Sequence, residues 1–378
     1  MKKRVGDASI VIVIAIVIAV AAVTGSRRSV KSDLEFMESV IKPGLNCYFE
    51  NPNKGLLTEE NGDITAHIYS GEEKGYNGNV RVAAITDTSG RILSIHINSD
   101  KETPSFVEKI YRRNFSGRFV GLRAMDMAEE RVIVDAVAGA TITSNAVIKA
   151  IINGYMEGEG MVQNGKVIIR AGWPEYVVLT LFFLSVLISV RRLRAVSRYL
   201  KWISWGLSIV FLGFVLGQPL TLPRFITLAG GYLPDTNGEL YILLIPVLSI
   251  GFILFTGKNN YCRSVCPFGA TQEFLGALGK ASDLRLKKYR LAKYLQWGTA
   301  LSAVLIALAL NNPSVAEYSV FGTFFQLTGP PVLFVLLMLT VIMSMFFRRP
   351  WCRYLCPVDG VMAYFRTLRR VIINTVKK

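Results

Sequence analysis

Histidine is scarce in this sequence: the 378 residues include only two, His67 and His96, and neither lies in a long apolar run. A haem held inside a membrane by a pair of histidines is therefore excluded for lack of ligands. The long apolar runs also have no Asp, Glu, Lys or Arg in their interiors. Proton relays and ion pathways through a membrane usually need such groups, so a pump or a transporter is disfavoured.

Acidic residues are scarce too, except in one block. Residues 31–163 carry 14 Lys and Arg against 19 Asp and Glu, whereas the rest of the chain carries 29 basic and 8 acidic residues. The formal net charge of +16 therefore comes entirely from outside this block. Because those outer segments are also the apolar ones, their charge is typical of basic loops beside a membrane, and we expect no nucleic acid among the partners.

Six apolar segments approach or reach the length of roughly 17–25 residues that a membrane-spanning helix needs. They are Ala8–Val23, Tyr176–Val190, Ile203–Leu222, Leu240–Thr256, Tyr294–Leu310 and Pro331–Phe347. Lys and Arg cluster before the first, between the second and third, between the fourth and fifth, and after the sixth. Since basic loops stay in the cytoplasm, this pattern predicts cytoplasmic termini and an acidic block outside the bacterial cytoplasmic membrane.

The acidic block has the pattern of a compact α+β domain. The run Asn79–Ser99 alternates apolar and polar residues around a turn at residues 87–90, which predicts a β-hairpin. Helical patterns follow at Ser105–Arg113 and Asn145–Tyr155, with a strand-like run at Arg131–Val134. We therefore predict an N-terminal anchor helix at residues 1–30, an extracytoplasmic α+β domain at residues 31–170 and a five-helix membrane domain at residues 171–378, which together make a six-helix transmembrane bundle.

The membrane part contains an internal two-copy repeat. The stretches YCRSVCPFGA (Tyr261–Ala270) and WCRYLCPVDG (Trp351–Gly360) share the pattern aromatic-Cys-Arg-x-x-Cys-Pro. Each follows the end of an apolar segment that is predicted to face the cytoplasm, so the repeat brings two cysteine pairs to the same membrane face. The two CxxxCP motifs are therefore candidates for one shared site.

The four cysteines of these motifs are candidate metal ligands. They are Cys262, Cys266, Cys352 and Cys356. A spacing of i and i+4 puts both sulfurs of a pair on one side of a helical turn, and the reducing cytoplasm disfavours disulfides. Four thiolates can hold an iron–sulfur cluster or a zinc ion, and the spacing matches neither a common ferredoxin run nor a zinc finger. Metal identity and cluster type stay open, with simple packing under helix ends as the alternative to metal binding.

A stretch of small and hydroxyl residues, DAVAGATITSNAV at Asp135–Val147, lies between the strand-like and helix-like runs. Gly139 and Ala140 would let a bulky group approach the backbone, and Thr143 or Ser144 could cap the helix that follows. A helix N-terminus favours an anion such as a phosphate. The alternative for this stretch is an ordinary strand, turn and capped helix.

The same stretch resembles the D-x-x-[ST]-G-A-T motif of membrane flavoproteins related to the Na⁺-pumping quinone reductase and Rnf subunits. In that family the last Thr carries FMN as a phosphoester, attached by a flavin transferase outside the cytoplasmic membrane. The resemblance implies covalent FMN at Thr141, with Asp135, Gly139, Ala140 and Thr143 in its site. The sequence departs from the motif at one position, where Ala replaces the usual Ser or Thr before Gly139.

A second stretch, KETPSF at Lys101–Phe106, resembles the E-T-P-G loop that lies near the flavin ring in that family. It implies that Glu102 and Thr103 contribute to the cofactor site. In this sequence Ser105 stands where the family has Gly.

The order of segments resembles that of the NosR/NirI-type membrane flavoproteins. It consists of one apolar segment, a flavin domain, and further apolar segments with two CxxxCP motifs. In length and motif content it is most similar to the short RdhC-type proteins associated with reductive dehalogenases. The resemblance implies an electron-transfer component, without substrate turnover of its own, that passes electrons from quinol or a cytoplasmic donor through FMN to an extracytoplasmic reductase. The redox-active flavin domain favours an iron–sulfur cluster at the four cysteines. The roughly 30 Å apolar core between the flavin and the cysteines then requires a further carrier, which is a quinone, a second flavin or a partner subunit.

A different function also fits the sequence. Some relatives of this type were named as regulators, so the chain could be an accessory or regulatory membrane protein for the maturation or expression of a partner reductase. No helix-turn-helix or other DNA-reading element is evident in the sequence.

Overall fold

The structure is a computed structural model that describes most of the chain in two separate units. It describes residues 2–376 apart from 30–35, 37–38, 42–44, 60, 62, 77, 100–101, 103, 139, 162–171, 191–193, 230–239, 284–288, 311 and 328. The first unit, here called the sheet unit, comprises Val23–Lys166 and Ala309–Ser314. The second, here called the helical unit, comprises Met1–Ala22, Val167–Leu308 and Val315–Lys378.

The sheet unit is built on five antiparallel strands in the order β1-β2-β3-β4-β5. Their bounds are β1 Asn46–Asn51, β2 Lys54–Thr58, β3 Ile64–Lys74, β4 Asn79–Thr86 and β5 Ile92–Asn98. Strands β4 and β5 form the predicted hairpin. Its turn is stabilised by the Asp87 carboxylate, which accepts hydrogen bonds from the backbone amides of Ser89 at 2.9 Å and Arg91 at 2.8 Å. Gly90 has φ +79°, which a residue without a Cβ adopts at no steric cost. The hairpin prediction is confirmed.

Helices follow the hairpin in the sheet unit. They are α2 Pro104–Arg112, α3 Ala124–Ala128 and α4 Thr141–Gly158, with a 3₁₀ turn at Ser116–Phe119. The strand predicted at Arg131–Val134 is wrong. The amides of Arg131 and Val132 both donate to the carbonyl of Asp126, at 2.8 and 3.2 Å. These two amides are therefore hydrogen-bonded to α3 and cannot pair with a neighbouring strand.

Helix α4 lies directly against strand β3 because two glycines leave the space for it. A Cβ added at Gly71 would come 1.9 Å from the carbonyl oxygen of Ala150, and one added at Gly154 would come 2.7 Å from the amide nitrogen of Gly71. Val147 and Ile151 of the same helix are buried in the core of the unit. This close contact fixes the axis of α4, and with it the position of the residue that begins the helix.

The helical unit contains α1 as far as Ala22 and the helices that follow Val167. Its helices are α1 Lys2–Ser29, α5 Trp173–Ser189, α6 Arg194–Leu207, α7 Leu222–Ala229, α8 Leu240–Thr256, α9 Pro267–Leu278, α10 Tyr289–Ala309, α11 Phe321–Gln326, α12 Pro331–Phe346, α13 Pro350–Tyr354 and α14 Pro357–Val376. Two segments are π-helical, Ser208–Val215 and Tyr261–Val265. Within the described residues, no helix combines the length and the apolar character that crossing a bilayer requires. The six-helix transmembrane bundle therefore stays a prediction.

Candidate functional site

Thr141 begins helix α4, and its side chain is exposed. The residue before it, Ala140, is buried, and its amide donates to the carbonyl of Val137 at 2.9 Å. The prediction that Thr143 or Ser144 caps the helix is wrong, because the helix begins before both and no side chain caps it.

Ser144 instead ties the preceding loop to the first turn of α4. Its buried hydroxyl donates to the carbonyl of Ala140 at 2.8 Å and accepts the amide of Val137 at 3.1 Å. Thr143 is equally buried, and its hydroxyl donates to the Glu102 carboxylate at 3.0 Å. Of the three hydroxyls in the first turn, only that of Thr141 is exposed, and it makes no hydrogen bond to any residue the structure describes.

Glu102 lies inside the sheet unit with 1% of its surface exposed. Its carboxylate accepts the amide of Tyr76 at 2.6 Å in addition to the Thr143 hydroxyl. A Cβ at Gly75 would stand 2.2 Å from the same carboxylate oxygen and 2.8 Å from the carbonyl oxygen of Gly78, so a side chain there would displace the carboxylate. Glu102 therefore holds three segments together beside the start of α4: the turn before β4, its own loop and the helix.

The other residues predicted for the flavin site fall in different places. Asp135 is exposed, and its carbonyl accepts a hydrogen bond from the Arg118 guanidinium at 3.0 Å. Gly139 and Thr103 lie outside the described residues. The start of α4 suits a phosphate ester, because a free hydroxyl stands where the unpaired amides of an 18-residue helix favour an anion.

The structure brings the four cysteines of the two motifs to one cavity of about 370 Å³. All four are free thiols. Cys266 and Cys356 are buried, whereas Cys262 and Cys352 are partly exposed. Among the described residues, no three His, Cys, Asp or Glu side chains form the ligand set of a single metal ion.

The second cysteine of each pair is held in the same way. The amide of Cys266 donates to the carbonyl of Tyr261 at 2.8 Å, and the amide of Cys356 donates to the carbonyl of Trp351 at 2.9 Å. A proline then begins a helix in both copies, α9 and α14. Both thiols therefore stand at helix N-termini, where the helix dipole stabilises a negative charge.

Burial dominates the acidity of these thiols. It raises the pKa of Cys262 and of Cys356 well above the usual range, and it raises that of Cys352 to about 12. Burial also raises the pKa of Cys266, although the amides of Gly269 and Phe268 and the charge of Arg349 act in the opposite direction. Free of a ligand, the thiols therefore keep their protons, and a bound metal centre would displace them.

Neighbouring helices satisfy the carbonyls of both motifs. In the first copy, Ser204 donates to the carbonyl of Ser264 at 2.8 Å and Trp205 donates to that of Arg263 at 3.3 Å. In the second copy, Gln296 donates to the carbonyl of Cys356 at 2.6 Å. A helix from earlier in the chain, α6 in the first copy and α10 in the second, thus holds the backbone of each motif, which the sequence pattern alone did not indicate.

Arg349 connects the two copies. From its place before the second motif, its guanidinium donates to the carbonyl of Cys262 in the first motif at 2.8 Å. The same group makes an ion pair with Glu273 of α9 at 2.6 Å. Arg349 lines the cysteine cavity together with Lys201, Arg263, Lys293 and Arg353. Four thiols in a cavity with positive charge around it suit an anionic iron–sulfur cluster.

Two family descriptions match this chain, and each covers one of the two sites. Residues 75–155 match an FMN-binding domain, a range that includes Glu102 and Thr141. Residues 240–285 and 328–375 match a 4Fe-4S binding domain, and these two ranges contain the two cysteine pairs. The match favours iron–sulfur chemistry over zinc for the four thiols.

Curated proteins are similar to parts of this chain. The chain is 26% identical over 175 residues to the regulatory protein NosR of Stutzerimonas stutzeri, which covers 41% of this chain and 24% of that protein. It is 26% identical over 209 residues to the protein NirI of Paracoccus denitrificans, which covers 50% of this chain and 30% of that protein. The two domain matches and these relatives support a relationship to the NosR/NirI-type flavoproteins. The identity within this family is low, and the layout of the short RdhC-type proteins stays a prediction.

A further relative is a component of an ion-translocating complex. One component of the ion-translocating oxidoreductase complex of Vibrio parahaemolyticus is 35% identical over 124 residues, which covers 30% of this chain and 58% of that component. The chain spans less than two thirds of the length of each of these three relatives. Together the two domain matches and these relatives support an electron-transport flavoprotein with an FMN-binding and an iron–sulfur domain.

Proposed function

We propose that this NosR/NirI-type protein carries electrons through FMN, covalently bound at Thr141, and an iron–sulfur cluster held by the four motif cysteines, to an extracytoplasmic reductase. The observation that carries the proposal is the presence, in one chain, of a helix start with a single free hydroxyl and of four free thiols around one cavity. In this proposal the protein acts as an electron-transfer component and not as a stand-alone catalyst.

In the sheet unit, Thr141 is the proposed phosphoester residue. A flavin transferase would reach its exposed side chain, whereas Thr143 and Ser144 are buried and already bonded. Asp135, Gly139 and Ala140 form the motif before it, and Glu102 and Thr103 form the second loop. FMN supplies one- and two-electron redox chemistry when it is bound there, and the amides at the start of α4 stabilise the phosphate charge.

In the helical unit, Cys262, Cys266, Cys352 and Cys356 are the proposed cluster ligands. A cluster at these thiols would accept and release one electron at a time. The helix N-termini at Cys266 and Cys356, together with Arg349, offset the negative charge of four thiolates.

We further propose that the protein lies in the bacterial cytoplasmic membrane, with the FMN domain extracytoplasmic and both termini cytoplasmic. Six apolar sequence segments and the placement of Lys and Arg support this location. Quinol or a cytoplasmic carrier would supply the electrons, and a quinone or another carrier would connect the cluster with the flavin. Proteolysis of intact spheroplasts tests the topology, since an extracytoplasmic FMN domain is cleaved and a cytoplasmic one is protected.

The metal part of the proposal is tested on full-length protein purified without oxygen. We expect iron and acid-labile sulfide in equal amounts, together with an electron paramagnetic resonance signal after reduction. Replacing all four cysteines with Ser should remove the iron and the signal and leave the flavin in place. Stoichiometric zinc without iron, or a stable protein without any metal, would contradict the cluster.

A second candidate function is an accessory or regulatory role for a partner reductase. It is supported by the name of one relative, the regulatory protein NosR. Deleting the gene separates the two functions. Loss of the reductase transcript supports regulation, whereas a normal transcript with an oxidised, electron-starved reductase supports electron transfer.

A further inference from the structure

The mouth of the cysteine cavity is basic, and its charge is not balanced by carboxylates. Three carboxylates lie near the mouth, and each is already paired: Glu273 with Arg349 at 2.6 Å, Asp283 with Arg353 at 2.8 Å, and Asp359 with Lys293 at 2.6 Å. Each of these three acidic charges is therefore offset within the protein.

Three basic side chains remain beside these pairs. Lys201, Arg263 and Arg348 make no ion pair with any carboxylate in the described part of the chain. We call these three residues the basic rim. Arg263 and Arg348 are exposed, and Lys201 packs its ammonium group 4.4 Å from the centre of the Trp205 ring. The rim residues are close enough to affect one another: burial, and then the charges of Arg349, Arg263 and Arg348, lower the pKa of Lys201, while the Glu273 carboxylate acts in the opposite direction.

The four thiols are not equally accessible from this rim. Cys266 and Cys356 are buried, whereas Cys262 and Cys352 are partly exposed and line the same cavity as Lys201 and Arg263. One cysteine of each motif is therefore partly exposed in a cavity that Lys201 and Arg263 also line. Electrons cross between proteins fastest where the redox centre comes closest to the surface, so this cavity is the natural route to the cluster.

We infer that the basic rim is the docking surface for a small acidic protein that carries one electron. This inference rests on the proposed function, because it needs a cluster at the four cysteines. In the transfer step one electron leaves the reduced carrier, which is oxidised, and reduces the cluster; no bond is made and no proton moves. Unbalanced positive charge attracts an acidic partner and speeds its association, and added salt screens this attraction.

The experiment uses the full-length holoprotein in neutral detergent and an acidic [2Fe–2S] ferredoxin as the probe. Stopped-flow absorbance follows the cluster as the reduced ferredoxin transfers its electron. We expect the second-order rate to fall steeply with ionic strength, and Arg263→Glu to lower it about tenfold at low salt. Arg263→Lys should keep the wild-type rate, because the charge is retained. Arg113→Glu makes the same charge change at an exposed residue of the sheet unit and serves as the control.

Two further measurements separate this inference from the proposed function. Iron, sulfide and the paramagnetic signal are measured first, and their absence in wild-type protein contradicts the cluster itself. Binding of oxidised ferredoxin, followed by biolayer interferometry, needs no electron transfer and should weaken in Arg263→Glu whether or not that variant keeps its iron. A wild-type cluster whose reduction rate is independent of salt and of Arg263→Glu would overturn the docking surface. So would an Arg263→Glu variant that loses only its affinity for anionic lipid vesicles, since the rim would then bind a membrane.

Discussion

Thr141 and Cys266 both stand at the start of a helix, yet the first is exposed and the second is buried. In the sheet unit the helix start carries an exposed hydroxyl, that of Thr141, which makes no hydrogen bond to any described residue. In the helical unit two helix starts, at Cys266 and Cys356, line a cavity with positive residues around it. The same feature of helix electrostatics thus suits a phosphate added from outside in one unit and an anionic cluster held inside in the other.

The largest effects are expected from two glycines, one in each unit, that let neighbouring elements pack closely together. A Cβ at Gly71 would overlap the backbone of α4, at 1.9 Å from the Ala150 carbonyl. A Cβ at Gly279, after α9, would come 2.1 Å from the Met345 carbonyl. Because backbone cannot move aside cheaply, we expect each Ala variant to lose about 3 kcal/mol or more of stability in its own unit. Thermal melting of the full chain measures the loss.

The two variants should separate the two cofactors. Gly71→Ala should lose covalent FMN and keep iron, whereas Gly279→Ala should lose iron and keep FMN. Gly90→Ala is the control, because its Cβ meets nothing within 4 Å and only the positive φ costs about 1 kcal/mol. Loss of both cofactors in either variant would mean that the units do not fold separately.

Removing Arg349 should have the next largest effect. Arg349→Gln leaves Glu273 without its ion-pair partner and the Cys262 carbonyl without its donor, at a cost of about 2–3 kcal/mol. Arg349→Lys should not restore the loss, since one ammonium group cannot serve both partners. Iron retention during dialysis against a chelator measures the effect. Full retention in Arg349→Gln would show that the two motifs need no connection through this residue.

Breaking the Glu102 network should have a smaller effect, confined to the sheet unit. Thr143→Val removes the hydroxyl that donates to the buried Glu102 carboxylate at 3.0 Å, and the loss of this donor costs about 1–2 kcal/mol. Thr143→Ser keeps the hydroxyl and should stay near wild type. Urea unfolding followed by flavin fluorescence measures the change. Equal losses in the Val and Ser variants would assign the effect to packing instead.

Local sequence was enough to predict the hairpin and α4, because their signals lie within a few residues. The strand at Arg131–Val134 was wrong for a local reason as well, since its amides bind the Asp126 carbonyl. The shared cysteine cavity was predictable because two matched motifs repeat. The Arg349 contact with Cys262 was not, since it joins residues 87 positions apart. The burial of Glu102 could not be predicted from the sequence either, because a carboxylate in a loop is ordinarily exposed.

The smallest expected effect is a pH dependence in the sheet unit. The Tyr69 hydroxyl donates to Glu159 at 2.5 Å, and this bond, followed by that from Lys54, lowers the pKa of the Glu159 carboxyl. A lowered folded pKa gives stability above the usual carboxyl range that is lost as pH falls through the folded value. Tyr69→Phe should therefore lower the melting temperature slightly near pH 6, by about 1 kcal/mol or less in stability. The difference from wild type should shrink near pH 3, and a difference that grows there would contradict the assignment.

The most direct test of the central claim is the intact mass of the full-length protein made together with a flavin transferase. We predict one added FMN that survives denaturation, maps to the peptide containing Thr141, and is absent from Thr141→Ala. Thr143→Ala and Ser144→Ala should keep the modification, because their hydroxyls are buried in hydrogen bonds of the protein. An unmodified wild-type mass in the presence of an active transferase, or an FMN that persists in Thr141→Ala, would contradict the account.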